Sequence, residues 1–305
     1  MRKRIVFFSG FALLFCALPC TVMDVSSQES DARRAQEILE ATGVTGGLVV
    51  HLGCGDGALT ASLHANDSYV VQGLDTERRN VERARKHVDG LRLYGAVSID
   101  QLSDGPHLPY IDNLVNLIVA GRPTNVSTAE MLRVLRPGGV AYIRNEGTWR
   151  TISKPWPAEI DEWTHYMHGP DNNAVANDTV IGAPRRLQWN GGPEWTRSHE
   201  VMSSVNAMVS TAGRIFYVID EGPSASVQMP PEWRLVARDA FNGVVLWKRR
   251  IPQWQTHLWP LKAGPATIPR RLVAIGHWQN DEDLRRYQGH GGNPRLRRRA
   301  LSSCE

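Results

Sequence analysis

The chain has 305 residues, 42% of them hydrophobic, which is enough to build two domain cores. Its formal net charge of +4 is carried by its two ends. Arg2, Lys3 and Arg4 open the chain, and six arginines against one glutamate follow Leu284. The body between is mildly acidic, so no nucleic-acid partner is expected. The four cysteines, Cys16, Cys20, Cys54 and Cys304, form no disulfide framework and no C-x-x-C pair for zinc, so no metal site is expected.

An apolar run from Ile5 to Leu18 follows the basic start and is broken by Pro19. It is shorter than the ~20 residues of a spanning helix, which predicts a secretory signal peptide over residues 1–27 and no stable membrane span beyond it. The expected location is the periplasm or cell envelope if the signal is used, and the cytoplasm if it is not. A retained N-terminal anchor is the alternative.

Strands and helices then alternate. A helix is expected over Ala32 to Ala41, capped by Ser30 or Asp31, with Ala35, Ile38 and Leu39 on one face. Gly47 to Leu52 reads as a buried parallel strand, and Gly53-Cys54-Gly55-Asp56-Gly57 turns into a helix near Ala58. A second strand runs from Tyr69 to Leu74 and ends in Asp75. Thr76 is the expected cap of the next helix, whose buried stripe is Val81, Ala84 and Val88. Further strands are expected over Val97 to Leu102, Leu114 to Ala120 and Val140 to Ile143. Ser127-Thr128-Ala129-Glu130 reads as a capping box, opening a helix that ends before Pro137. The order predicts an α/β domain over residues 31–148, a Rossmann-like doubly wound parallel sheet.

In such a sheet a ligand lies beyond the carboxyl ends of the strands, beside the first one. Glycines there admit the ligand to the backbone, and an acidic residue closing the second strand can accept hydrogen bonds from both ribose hydroxyls. Asp75 has that place. The loop is ambiguous by itself, because Gly53, Gly55 and Ala58 also satisfy G-x-G-x-x-A, the dinucleotide fingerprint of nicotinamide-dependent oxidoreductases.

Two more segments favour another cofactor. Leu108-Pro109-Tyr110-Ile111-Asp112-Asn113 precedes the fourth strand, and Val134-Leu135-Arg136-Pro137-Gly138-Gly139 precedes the fifth. With the glycine loop, they make this half resemble class I S-adenosylmethionine-dependent methyltransferases, especially the small-molecule type called methyltransferase type 11. The resemblance implies S-adenosyl-L-methionine as cofactor and methyl transfer to an unknown acceptor. It implies that Gly53, Gly55 and Gly57 border the methionine portion, that Asp75 holds the ribose and that Asp104 contacts the adenine amino group. His51 stands where the family usually has Asp or Glu, and Asn116 replaces an aspartate common early in the fourth strand. Both changes are expected to remove charge from the cofactor end. Gly121-Arg122-Pro123 follows the fourth strand in place of the tyrosine-proline or asparagine-proline pair of nucleic-acid methylating enzymes, so no catalytic residue can be named. The alternative is an exported binding or scaffold protein with an inactive methyltransferase-like domain.

After a linker over residues 149–183 the pattern changes. All ten tryptophans lie between Trp149 and Trp278. Hairpins are expected from Met208–Thr211 to Arg214–Asp220, and from Leu235–Asp239 to Val244–Trp247, the second with a type I′ turn at Asn242-Gly243. Leu235, Ala237, Asp239, Ala240, Gly243 and Trp247 resemble the L-x-A-x-D-A-x-x-G-x-x-x-W repeat of quinoprotein-type (PQQ-like) β-propellers, in which the tryptophan packs between blades. The resemblance implies a partial propeller over residues 184–276, with Leu272 to Ile275 opening another blade, and a surface for a protein partner. Residues 277–305 read as a basic disordered tail, expected either as such or as the out-of-character end of a shortened longer protein. Glu159, Asp161 and Glu162 read as a solvated acidic surface, and His165 and His168 as packing or hydrogen-bonding groups of the linker.

Overall fold

The computed structural model describes residues 25–103, 105–180, 187–192, 205–226, 229–254 and 268–276. The first half holds β1 (Gly47–Leu52), β2 (Tyr69–Asp75), β3 (Val97–Gln101), β4 (Val115–Ala120), β5 (Leu135–Asn145) and β6 (Thr148–Ser153). They form one sheet in the order β3-β2-β1-β4-β5-β6. The first five strands are parallel, and β6 returns antiparallel to β5. The order reverses between β1 and β4, the switch point at which such sheets bind ligands. The helices are α1 (Val25–Thr42), α2 (Ala58–Ser62), α3 (Arg78–Gly90) and α4 (Thr128–Val134).

Both faces of the central strands β1, β2 and β4 are buried, so these strands are mostly apolar. Val49, Val71, Leu117 and Val119 meet Ala35, Ile38, Val81, Ala84 and Val88 of α1 and α3. Val50, Leu52, Leu74, Ile118 and Ala141 meet Met131 and Val134 of α4. Trp149 on β6 stacks on Tyr142 of β5, with ring centroids 4.5 Å apart. Residues 149–153 of the expected linker are therefore the sixth strand, brought in by a two-residue turn whose Glu146 and Gly147 both have positive φ.

Several local expectations change. Helix α1 starts at Val25 rather than Ala32, because no breaker stands between Val25 and Gly43 (φ +65°), so Ser30 and Asp31 lie inside it. Thr76 does not cap α3; Asp75 accepts the Glu77 N–H instead, at 2.9 Å. The capping box is half made: Ser127 Oγ accepts from Glu130 N at 3.1 Å. The Glu130 carboxylate turns away to Leu108 N (2.7 Å) and Arg133. Strand β5 begins at Leu135, its pairing with β4 broken by an irregularity before Val140.

The second sheet is fully antiparallel, in the order β10-β9-β8-β7, from β7 (Val205–Thr211), β8 (Arg214–Asp220), β9 (Trp233–Asp239) and β10 (Val245–Arg250). A two-residue turn with positive φ at both positions joins β7 to β8, at Ala212 and Gly213. The expected type I′ turn at Asn242-Gly243 does not form, since only Gly243 has positive φ. Asp239 Oδ1 accepts the N–H groups of Phe241 and Asn242, and its carbonyl accepts that of Gly243, which opens the turn into a longer loop. Leu272 to Ile275 is not a strand; it follows a 3₁₀ turn, and Ala274 N donates to Thr164 O. Trp247 is partly exposed and lies 6.0 Å from Phe216.

This loop docks the second sheet onto the amino end of the first. Asn116 Nδ2 donates to Asp239 Oδ2 at 2.7 Å, and its Oδ1 accepts from Asn242 Nδ2 (2.6 Å) and Leu48 N (2.9 Å). Arg136 Nε lies 3.2 Å from Asp239 Oδ2. Ser68 Oγ donates to Leu246 O, and Gln188 Nε2 bridges the carbonyls of Asn113 and Phe241. A Cβ on Gly47 would overlap the Asn116 amide, so the first residue of β1 has to be glycine for the joint to close.

Of the linker's acidic residues Glu159 is exposed, as expected, whereas Asp161 and Glu162 are committed. Glu162 accepts from Thr211 Oγ1 and Ala212 N, both at 2.6 Å. Asp161 pairs with His168 at 2.6 Å and accepts from Asn177 N. These carboxylates tie the linker down rather than form a solvated surface. Among the described residues no group of three or more His, Cys, Asp and Glu could hold a metal ion, and no helix is long and apolar enough to cross a membrane.

Candidate cofactor site

The glycine bend leaves β1 at the carboxyl end of the sheet. Gly53, Gly55 and Gly57 all have positive φ (71°, 62° and 86°), a region that costs an ordinary side chain about 1–2 kcal/mol. The bend is pinned to the end of β2: Gly53 N donates to Leu74 O at 2.8 Å, and Gly55 N to Asp75 Oδ2 at 2.9 Å. Asp75 is 5% exposed, and its Oδ1 accepts from Glu77 N and Asn80 Nδ2. Four lone-pair directions on a carboxylate leave room beyond these three donors.

Gly53 and Asp75 line one cleft with Leu52, Thr76, Thr124 and Val126, of about 130 Å³. Ordinary ligand pockets run to roughly 300–1,000 Å³, so entry of a nucleoside requires the walls at Ser103 and Thr124 to part. Gly55 touches this site through Asp75. A Cβ on Gly57 would lie 2.9 Å from that of Ala84, so glycine at this position lets α2 pack on α3. Asp104 lies outside the described residues.

His51 points to the α2 side of the sheet, 5% exposed, with Nδ1 2.8 Å from Thr60 Oγ1. Burial, then the charges of Arg34 and Arg122, push its pKa down to about 4, so it is neutral and supplies no charge to a ligand. Cys54, within the bend, is buried beside Asp75 and its thiol is pushed up to about 12, so it stays protonated. Asn116 is not at this end at all. It sits early in β4, on the opposite rim, and serves the joint with Asp239. The expectation that it removes charge from the cofactor end is overturned.

The Leu108–Asn113 segment is a brace. Arg133 donates to Leu108 O, Tyr110 O and Asp112, while Lys154 Nζ holds Asn113 Oδ1. The Arg133 hydrogen bond holds the Glu130 carboxyl down to about 2. Sequence reasoning passed over Arg34 and gave no role to Arg122, the two cations beside the bend. Position was the available signal for Arg122, which stands two residues past β4 at the switch point.

A Rossmann-like α/β domain is the class that this fold defines. Residues 49–139 match the family described as Methyltransferase domain. Methyltransferase GfsG of Streptomyces halstedii is 35% identical over 118 residues, which cover 36% of this chain and 42% of that protein. The chain thus spans less than half the length of this curated relative. A putative S-adenosyl-L-methionine-dependent methyltransferase from Methanococcus maripaludis shares 30% identity over 37% of this chain and 53% of its own, with a TM-score of 0.34. Geranyl diphosphate C-methyltransferase from Streptomyces coelicolor, solved with S-adenosyl-L-homocysteine, shares 18% identity over 37% of this chain and 45% of its own, also at 0.34. Residues 49–139 of the chain are thus similar to methyltransferase domains.

Proposed function

We propose that the chain binds S-adenosyl-L-methionine through this domain and transfers its methyl group to an acceptor. The observation that carries the reading is the meeting of the Asp75 carboxylate with the glycine bend at Gly55, at the switch point of the sheet. A buried acceptor group beside the bend, with one lone-pair direction left, suits a ribose hydroxyl that donates to it. The same stretch is the one matched by the methyltransferase family.

When bound, the cofactor supplies an electrophilic methyl group on a sulfonium. Methyl transfer asks the protein mainly for alignment and exclusion of water. In this reading Asp75 orients the sugar, Gly53 and Gly55 let the chain approach the sulfur side, and Leu52, Leu74 and Val126 line the cleft with apolar surface. Asp104 stays the candidate for the adenine amino group. The second sheet fits a propeller-type blade, on the strength of the Leu235–Trp247 motif and its four antiparallel strands, and it offers a protein-binding surface. Export through residues 1–27 belongs to the same reading.

Isothermal titration of the full chain with S-adenosylhomocysteine and with NAD tests it. Binding of the first alone is expected. Binding of NAD alone transfers the glycine bend to nicotinamide chemistry, and binding of neither leaves an inactive scaffold.

A further inference from the structure

A sheet edge presents unpaired main-chain groups that another strand can pair with. Among the described residues the two sheets have four edges, and three are covered by the chain itself. On β3, Ile99 O accepts from Arg85 Nε at 2.8 Å, and Val97 N donates to Leu93 O. On β7, Ser210 N donates to Trp163 O at 2.7 Å, and Glu162 holds Thr211 and Ala212. On β10, Leu246 O accepts from Ser68 Oγ, the pairing is irregular after Val245, and Lys248, Arg249 and Arg250 close the strand.

The fourth edge is β6, and its pairing with β5 is regular from Thr148 to Ser153. The two-residue turn makes Asn145 and Thr148 a hydrogen-bonded pair, so Thr148, Arg150 and Ile152 direct their main-chain groups to β5. Lys154 N continues the series by donating to Gly139 O. Trp149, Thr151 and Ser153 therefore direct theirs outward, where they meet no partner among the described residues. The strand has no proline, lysine or bulge to blunt it, and four of its six residues are exposed.

We propose that β6 pairs antiparallel with β6 of a second copy of this chain, joining the two six-stranded sheets into one. Charge selects the register. One centred pairing sets Arg150 opposite the partner's Arg150, and another sets it opposite the partner's Lys154; like charges face to face destabilise a ladder. The third has its two-fold axis at Thr151. There Thr151 faces the partner's Thr151, Trp149 faces the partner's Ser153, and Arg150 faces the partner's Ile152, over which its methylenes can lie. Every outward-directed residue of both strands is then paired, through about six main-chain hydrogen bonds. The strand is its own complement, as a two-fold interface requires. The seam lies three strand spacings from the glycine bend, about 14 Å, so association and nucleoside binding are read separately.

Sedimentation velocity of the full chain over a concentration series tests this, with Thr151→Pro and Thr151→Lys beside the wild type. The wild type should form a dimer as concentration rises. Thr151→Pro removes an N–H that β5 does not use, a change tolerated at a strand edge, so it should keep the wild-type circular dichroism and stay monomeric. Thr151→Lys leaves the main chain intact and sets two ammonium groups across the axis, which should weaken association about fivefold. It decides the matter if the proline variant loses its fold. Hydrogen exchange at Trp149 and Thr151 should slow with rising concentration, while Arg150 and Ile152 stay slow throughout. A wild type that is monomeric at every concentration, or a dimer that both substitutions leave unchanged, overturns the proposal.

Discussion

The two rims of the six-stranded sheet solve opposite problems. At the amino rim, polar groups are spent on one another: Asn116, Asp239 and Asn242 are hydrogen-bonded across a joint between the sheets, Arg136 adds its charge beside Asp239, and Asp239 is 1% exposed. At the carboxyl rim polar groups are held ready. Asp75 keeps room for one further donor, and Arg34 and Arg122 have no carboxylate in a salt bridge among the described residues. A network that is fully satisfied fixes structure, whereas one left incomplete is available for a ligand. The amino rim is therefore read as structural and the carboxyl rim as functional.

The largest effect expected from breaking this contrast lies at the joint. Arg136→Ala leaves the Asp239 carboxylate buried without its cation and should cost about 3–5 kcal/mol in denaturant unfolding. An unchanged midpoint would mean that the second sheet does not depend on the joint.

Acid acts on the other rim. His51 ionises at about 4 in the fold, against an ordinary 6.5. Between those values the unfolded chain binds the extra proton, so this contribution is complete above pH 6.5 and lost as pH falls toward 4. The loss amounts to roughly 3 kcal/mol. His51→Gln should flatten that part of a stability profile. Glu130 is depressed to about 2, so its contribution is lost lower, from about 4.5 downward.

A smaller and sharper pair of changes adds a carboxylate to one rim and removes one from the other. Asn116→Asp places a second carboxylate against Asp239 and should destabilise by about 1–3 kcal/mol, with affinity for S-adenosylhomocysteine unchanged. Weaker or tighter nucleoside binding by that variant would put position 116 in the site. Asp75→Asn should reverse the pattern. It replaces an oxygen by a donor facing Gly55 N or Glu77 N, and nucleoside affinity falls about tenfold.

The alternation of strands and helices was legible because both faces of a parallel sheet are apolar, which left Gly47–Leu52 and Tyr69–Asp75 little freedom in reading. The glycine bend and Asp75 were legible for a related reason: positive φ and an acidic strand end are local requirements. Asn116 was misread because a position early in a strand lies at the rim away from the glycine bend, and its partners on the second sheet are more than 120 residues away in sequence. The turn at Asn242 was misread because a side chain, Asp239, outcompeted the preference of the Asn-Gly pair. Arg34 stayed hidden because it acts through a helix face whose neighbour, Trp149, becomes close only when β6 folds back. Gly57 has the sequence mark of a ligand glycine, yet the contact it admits is with Ala84.

Hydrogen–deuterium exchange of the full chain, with and without S-adenosylhomocysteine, tests the contrast between the rims most directly. The nucleoside should slow exchange in peptides covering residues 52–58 and 74–77 and leave those covering 114–116 and 239–243 unchanged. Protection confined to the amino rim, or none at the bend under saturating ligand, would contradict the assignment of the carboxyl rim as the binding end.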